Sequence, residues 1–377
     1  MVTRIAAYGL SADPITFGHI NLIERISRLY DEVLVVIAVN PSKTAIFSIS
    51  EKEVTVKDAV SHLSNVSVHV CVGEYLASYA FSLGARVIVR GLRNSRDFED
   101  EETLAEENRN ICKEVETLWV PCLPSLAHIS SSVVKGHVGA DSSWEKQVVR
   151  LVPKSVLKLL AQKYYEKCAT KHWVALMDSL GNPSGNKMLL DKLFARYREP
   201  HRFYHTLKHV ISMLDEFEEV SHLAENLNRV RLAIWYHDAY QDTSSESIHM
   251  ASNEERSAEL ARGELASLGC NQVFIDGVCD MIQYTNHQKK PNDTDTQLFL
   301  DLDLAILGQN DEVYDEYKGD VRKEYAWVKE GVYATERIKI LRRILERGQI
   351  YFMGYFYERL ERKAQENLRR EIEELSL

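Results

Sequence analysis

The chain has 377 residues, more than one typical domain holds, and at 45% apolar and 27% charged its composition is that of an ordinary globular protein. A formal charge of −10 excludes a general nucleic-acid partner, which needs a basic stripe, although a few local Lys and Arg can still hold phosphates. The longest apolar run, Val33 to Val39, is far too short to span a bilayer, and no basic region or cleavage site follows Met1. No membrane span and no signal peptide are expected, and the chain reads as cytoplasmic. The six cysteines (Cys71, Cys112, Cys122, Cys168, Cys270, Cys279) form no Cys-x-x-Cys pair and read as reduced thiols.

Strands and helices alternate through the first half. Ile5 to Tyr8 predicts a strand, and an apolar-periodic helix is expected from about Ile20 to Tyr30. Between them lies Asp13-Pro14-Ile15-Thr16-Phe17-Gly18-His19, where backbone N–H groups and the positive helix end converge on a spot suited to an anionic substrate. Glu32 to Val39 reads as a parallel strand buried on both faces, ended by Asn40-Pro41-Ser42-Lys43. A helix follows from Ile49 to Leu63, with Ser50 and Glu53 as its capping box. Next come a strand (Val66 to Val72), a helix (Tyr75 to Leu83), a strand (Arg86 to Val89), a helix (Asp97 to Asn110) and a strand (Glu116 to Val120). Ile129-Ser130-Ser131-Ser132 then opens another helical segment, its hydroxyls read either as caps or as phosphate donors. This alternation predicts a doubly wound α/β parallel sheet with its ligand site beyond the strand carboxyl ends, where Lys43, Arg90 and Arg93 fall.

The ordered set from Asp13 to His19, through Asn40 to Lys43, Arg90 to Arg93, Asp97 to Glu99, Asn108-Arg109 and Ile129 to Ser132, resembles bacterial phosphopantetheine adenylyltransferases of the nucleotidyltransferase superfamily over about residues 3–163. The resemblance implies transfer of AMP from ATP, with Mg²⁺, to 4′-phosphopantetheine, and a homo-oligomer formed through this domain. It places His19 on the α-phosphate with Thr16 beside it, Lys43 and Arg90 on the acceptor phosphate, and Arg93 with Ser130, Ser131 and Ser132 on the ATP phosphates. Glu101 falls near the ribose, Asn108 near the pantetheine arm, and Ser11 preserves a substrate-binding hydroxyl. The chain departs at Leu10, where the family has a glycine beneath the nucleotide; Gly9 is expected to move the tight turn one residue earlier. That departure leaves another phosphorylated acceptor as the alternative.

From about Cys168 strand patterns vanish, and helices follow one another past Gly181-Asn182-Pro183-Ser184-Gly185. The expected domains are 1–165 and 168–377. His205 and His209 stand four apart at the head of an apolar helix, a spacing that puts both on one face, and His237-Asp238 ends a second apolar helix. Asp301 and Asp303 interrupt a third. Imidazoles and carboxylates recurring on apolar helices point to a shared divalent metal, since burying them unpaired is costly. The pattern resembles the HD superfamily of metal-dependent phosphohydrolases, all-α helical bundles, over about residues 170–330. The resemblance implies His209, His237, Asp238 and Asp303 as ligands of a transition metal (Mn, Fe, Co, Ni or Zn), and His205 and His287 as second-shell or substrate contacts for an unknown phosphorylated ligand. Gln241 stands where the superfamily's nucleotidases carry an acid. The alternatives to a hydrolase are a nucleotide-sensing regulatory module and a metal site that only holds helices together. Tyr357 to Leu377 predicts a charged amphipathic helix closing the bundle.

Overall fold

The computed structural model describes residues 3–39, 44–182, 186–244, 251–287 and 290–377. Its contacts divide the chain into two compact units, Met1–Tyr164 and Tyr165–Leu377, with the division falling inside one helix. No helix among the described residues is long and apolar enough to cross a membrane. All six cysteines are free thiols.

The first unit alternates β1 (Ile5–Leu10), α1 (Phe17–Ser27), β2 (Glu32–Val39), α2 (Ile49–Val60), β3 (Val66–Val72), α3 (Leu76–Ser82), β4 (Val87–Leu92), α4 (Ser95–Ile111), β5 (Glu116–Pro121), α5 (Ser131–His137) and α6 (Trp144–Val148). All strands are parallel in the order β3-β2-β1-β4-β5, so the strand order reverses between β1 and β4. In such a sheet the crevice outside the carboxyl ends at that reversal is the binding place. The continuous apolar run of β2 follows from burial on both faces. Val33, Val35 and Ile37 enter one core with Ile23 and Ile26, while Leu34 and Val36 enter another with Ala77 and Ala80.

Three local expectations differ from the structure. The capping box of α2 is formed by Ser48 and Glu51, two residues earlier than Ser50 and Glu53; the Ser48 N–H donates to Glu51 Oε2 at 2.7 Å. β4 extends to Leu92, which places Arg90 and Gly91 inside the strand. Gly9 makes no turn, because it lies in β1, where a Cβ would come within 2.4 Å of Leu76 Cδ2. Its missing side chain makes room for α3.

A long helix, α7 (Lys154–Ser179), runs through the division. The second unit continues with α8 (Lys187–Tyr197), α9 (Leu207–Val220), α10 (Leu227–Tyr236), α11 (Asn253–Ser267), α12 (Gln272–Gln283), α13 (Thr294–Leu304), α14 (Asp311–Glu324), α15 (Glu330–Leu345) and α16 (Gly354–Leu375), and has no strand among its described residues. Its single core gathers Trp173, Phe217, Trp235, Phe299 and Phe356. Helix α16 is amphipathic, as its charge pattern predicts, and begins three residues before Tyr357. It buries Phe356, Leu360, Ala364 and Leu368, and Glu371 on the same face meets Arg337 at 2.8 Å.

Candidate functional site

In the first unit the reversal point is occupied by the turn between β1 and α1. Thr16 caps α1 in extended conformation, and its N–H donates to His19 Nδ1 at 3.1 Å, with Thr16 Oγ1 2.9 Å from the same nitrogen. An Nδ1 that accepts from the backbone leaves the ring proton on Nε2. Burial, followed by the Arg93 and Arg90 charges, pushes His19 down to about 4. His19 is therefore a neutral, pre-oriented donor in the first turn of a helix. Ser131 Oγ donates to the Pro14 carbonyl at 2.8 Å, which ties the start of α5 to this turn, and Ser130 caps α5 by accepting from the Val133 N–H at 3.2 Å.

Asp13 organises the same turn, although its local sequence marks it only as part of the motif. Its buried carboxylate accepts from the Ile46 and Phe47 N–H groups, both at 3.0 Å, and pairs with Lys135 at 2.6 Å and Lys52 at 3.7 Å. Burial works against its charge, but Lys135 and the two N–H donors prevail and hold the carboxyl below the ordinary range. Asp13 thus anchors the chain that runs from β2 toward α2. Lys43, on that connection, lies outside the described residues.

Arg90 and Arg93 reach the crevice from β4. Arg90 forms a fork with Glu101, Nε to Oε2 and Nη2 to Oε1 both at 2.6 Å, and donates from Nη1 to the Gly9 carbonyl at 2.8 Å. Arg93 forms the equivalent fork with Asp97 at 2.7 and 2.9 Å. Glu101, assigned to a ribose from the sequence, is thus an ion-pair partner in this structure. Asn108 is half-buried on α4, and Ser11 and Ser132 are exposed.

The second unit holds a separate cluster. His209 on α9, His237 at the end of α10 and Asp303 on α13 offer ligand atoms that all lie within 4.8 Å of one another. His209 Nε2 is 3.2 Å from His237 Nε2 and 3.2 Å from Asp303 Oδ1, and Asp238 Oδ2 is 3.0 Å from His237 Nε2 and 3.7 Å from His209 Nε2. His237 Nδ1 donates to the Ile234 carbonyl at 2.9 Å, so Nε2 faces the cluster, the arrangement usual for a metal-ligating imidazole. Burial opposes charging His237, but Asp238 and Asp303 outweigh it and raise the ring to about 9. Two carboxylates and two inward-facing imidazole nitrogens therefore call for a positive charge at their centre. A divalent cation with mixed N and O preference fits that donor set. Asp301 takes no part: its buried carboxylate accepts from the Phe352 and Met353 N–H groups at 2.9 and 2.6 Å.

His205 does not share a helix face with His209, because α9 begins at Leu207. It precedes the helix, and its ring Nδ1 meets Glu324 Oε2 at 2.5 Å. Glu324 Oε1 accepts from the Phe203, Tyr204 and His205 N–H groups at 2.7, 2.8 and 3.0 Å. Arg202, also buried, donates to the carbonyls of His205 at 3.1 Å and Asp238 at 2.7 Å, fixing both strips of chain beside the cluster. Glu324 was missed in the sequence because it sits 119 positions from His205 in an ordinary charged helix. His287 follows the turn Tyr284–Asn286, with its Nδ1 buried and without a hydrogen-bond partner among the described residues.

Comparison with known proteins bears on the first unit. The model of the cytidylyltransferase-like family matches residues 7–137. The phosphopantetheine adenylyltransferase of Streptococcus gordonii is 39% identical over 167 residues, 44% of this chain and 99% of that one. The enzyme of the same name from Bdellovibrio bacteriovorus is 45% identical over 134 residues, 36% of this chain and 83% of that one. That from Gloeobacter violaceus is 38% identical over 160 residues, 42% of this chain and 96% of that one. Through its first unit the chain belongs to the family of these phosphopantetheine adenylyltransferases, within the cytidylyltransferase-like proteins.

Proposed function

We propose that the first unit transfers AMP from ATP to 4′-phosphopantetheine, giving dephospho-coenzyme A and pyrophosphate. The reading is carried by a neutral His19 at the reversal of the sheet, its Nε2–H without a partner among the described residues, in a chain whose relatives bear the name of this reaction. An acceptor phosphate oxygen attacks the α-phosphorus, and the bond to the β-phosphate bridging oxygen breaks as pyrophosphate leaves. No protein nucleophile is needed, so the residues position the partners and neutralise developing charge. In this reading His19 donates to an α-phosphate oxygen beside Thr16, and Lys43 and Arg90 hold the acceptor phosphate. Arg93, Ser130, Ser131 and Ser132 hold the ATP phosphates, and Mg²⁺ arriving with the nucleotide would neutralise part of their charge. Arg90 and Arg93 are already forked to carboxylates, so an arriving phosphate shares or displaces Glu101 and Asp97. Ser11, Glu101 and Asn108 complete the substrate contacts, and self-association through the first unit belongs to the same reading. Pyrophosphate release with ATP, Mg²⁺ and 4′-phosphopantetheine tests it. Release only with another phosphorylated acceptor would shift the function to that acceptor.

For the second unit we propose an HD-type phosphohydrolase centre, with His209, His237, Asp238 and Asp303 holding a divalent transition metal. It is favoured by the convergence of both Nε2 atoms and both carboxylates, with the His237 tautomer set by Ile234. Such a metal supplies Lewis acidity toward a phosphoester and an acidified water. Asp238 and Asp303 balance its charge, while Arg202 and Glu324 hold Asp238 and His205 in place. Turnover of a panel of phosphomonoesters and nucleotides with Mn²⁺ tests this reading. Binding without turnover would make the unit a nucleotide sensor.

A further inference from the structure

Two residues that the proposed transfer places on different substrates are bound to each other. Arg90, read as a holder of the acceptor phosphate, forks onto Glu101, read as a contact of the ATP ribose, from Nε to Oε2 and from Nη2 to Oε1, both at 2.6 Å. Arg90 Nη1 donates to the Gly9 carbonyl of β1 at 2.8 Å, so each guanidinium nitrogen already has a protein acceptor. With 24% and 14% of their side chains exposed, Arg90 and Glu101 form a largely desolvated pair that joins β4 to α4.

The neighbouring fork is of another kind. Arg93 is 38% exposed and meets Asp97 from four residues away. Asp97 also accepts from the Arg93 N–H at 3.1 Å, and its own N–H donates to Asn94 Oδ1 at 3.0 Å, so this pair shapes the start of α4 locally. Of the two forks, the one at Arg90 has a substrate assigned to each end.

A charge-assisted fork held away from water is strong, and a ligand that draws on either partner works against it. Burial opposes the charge of Arg90, but Glu101 outweighs it and raises the guanidinium above its ordinary value. Ribose hydroxyls donating to Glu101 draw its oxygens away from Arg90, and a phosphate on Arg90 draws N–H groups away from Glu101. Each substrate binding alone must loosen the whole pair. The second to arrive meets a pair already loosened, so each raises the affinity of the other, and by linkage the factor is the same in both directions.

We propose that the Arg90–Glu101 fork couples the two substrates of the first unit, so that ATP tightens the binding of 4′-phosphopantetheine and 4′-phosphopantetheine tightens the binding of ATP. The proposal rests on reading the unit as an adenylyltransferase with these contacts. Its consequence is a ternary complex that fills at concentrations where either binary complex is scarce.

The test is calorimetric titration of 4′-phosphopantetheine into the full chain, alone and with saturating α,β-methylene ATP and Mg²⁺, the methylene bridge blocking transfer. Wild type should bind the acceptor about tenfold or more tightly with the analogue present, the order expected for one charge-assisted pair. The reverse titration should return the same factor. Glu101→Gln keeps an oxygen for the ribose but removes the charge. It should bind the acceptor alone more tightly than wild type does, with the factor falling toward one. Asp97→Asn, which opens only the local fork, should keep the wild-type factor. Circular dichroism is measured on each variant, and the wild-type factor decides the matter if Glu101→Gln does not fold. A factor of one in wild type, a full factor in folded Glu101→Gln, or an equal loss in both variants would overturn the coupling and leave the transfer reading standing. Absence of 4′-phosphopantetheine binding to wild type in both titrations would overturn the reading of the unit, and the coupling with it.

Discussion

His19 shows how one side chain acquires a role from its surroundings. Held at Nδ1 by the Thr16 N–H and pushed down to about 4, it stays neutral through ordinary pH and offers only Nε2–H. In the proposed transfer a donor of that kind acts on charge that grows in the transition state. His19→Ala should therefore lower turnover about 10²–10³-fold, with far less change in ATP affinity measured by calorimetry. Equal losses in both would make His19 a ground-state phosphate clamp. In the second unit Asp238 is the corresponding residue to test, because its Oδ2 lies near both imidazole nitrogens. Asp238→Ala should strip most of the metal from the chain by elemental analysis while circular dichroism stays helical. Equal metal in both proteins would count against the ligand set.

At the scale of elements, two buried carboxylates hold loops that carry no regular structure. Glu324, at the last turn of α14, accepts three consecutive N–H groups and meets His205, so the strip before α9 depends on one distant side chain. Glu324→Ala orphans those donors and should destabilise the second unit by about 3–5 kcal/mol in thermal unfolding, as removal of one member of a buried charged cluster does. Asp13 performs the same service between β1 and α2. Its carboxyl is held below the ordinary range, so its contribution is complete above the unfolded value and is lost as pH falls through the folded one. Asp13→Asn should therefore lower stability at neutral pH and flatten the acid limb of the pH–stability curve. An unchanged acid limb would show that Asp13 is not its source.

At the scale of the whole molecule, each unit has its own core, and the two readings require different ligands. Calorimetry should resolve separate unfolding events, because a ligand stabilises only the native state it binds. ATP with Mg²⁺ should raise one transition, and a strong chelator should lower the other. A chelator that leaves both transitions in place would remove the metal from the account of the second unit.

The sequence by itself determined the layers. Period-two and continuous apolar runs fall at β1 to β5, and amphipathic runs fall on the helices, because burial of one face leaves a periodic trace in the chain. It also carried the strand-to-helix turn at Thr16 and His19, whose residues are contiguous and whose geometry is local. Tertiary structure decided what distance along the chain conceals. The fork between Arg90 and Glu101, the clamp of Glu324 on residues 203–205, and the seat of Asp301 against the Phe352 and Met353 N–H groups all depend on partners from remote elements. Gly9 makes the same point, since it reads as a turn former in sequence and serves in the fold as space for Leu76. A side chain's local pattern records which face is buried, whereas the partner it meets there is set only when the elements pack.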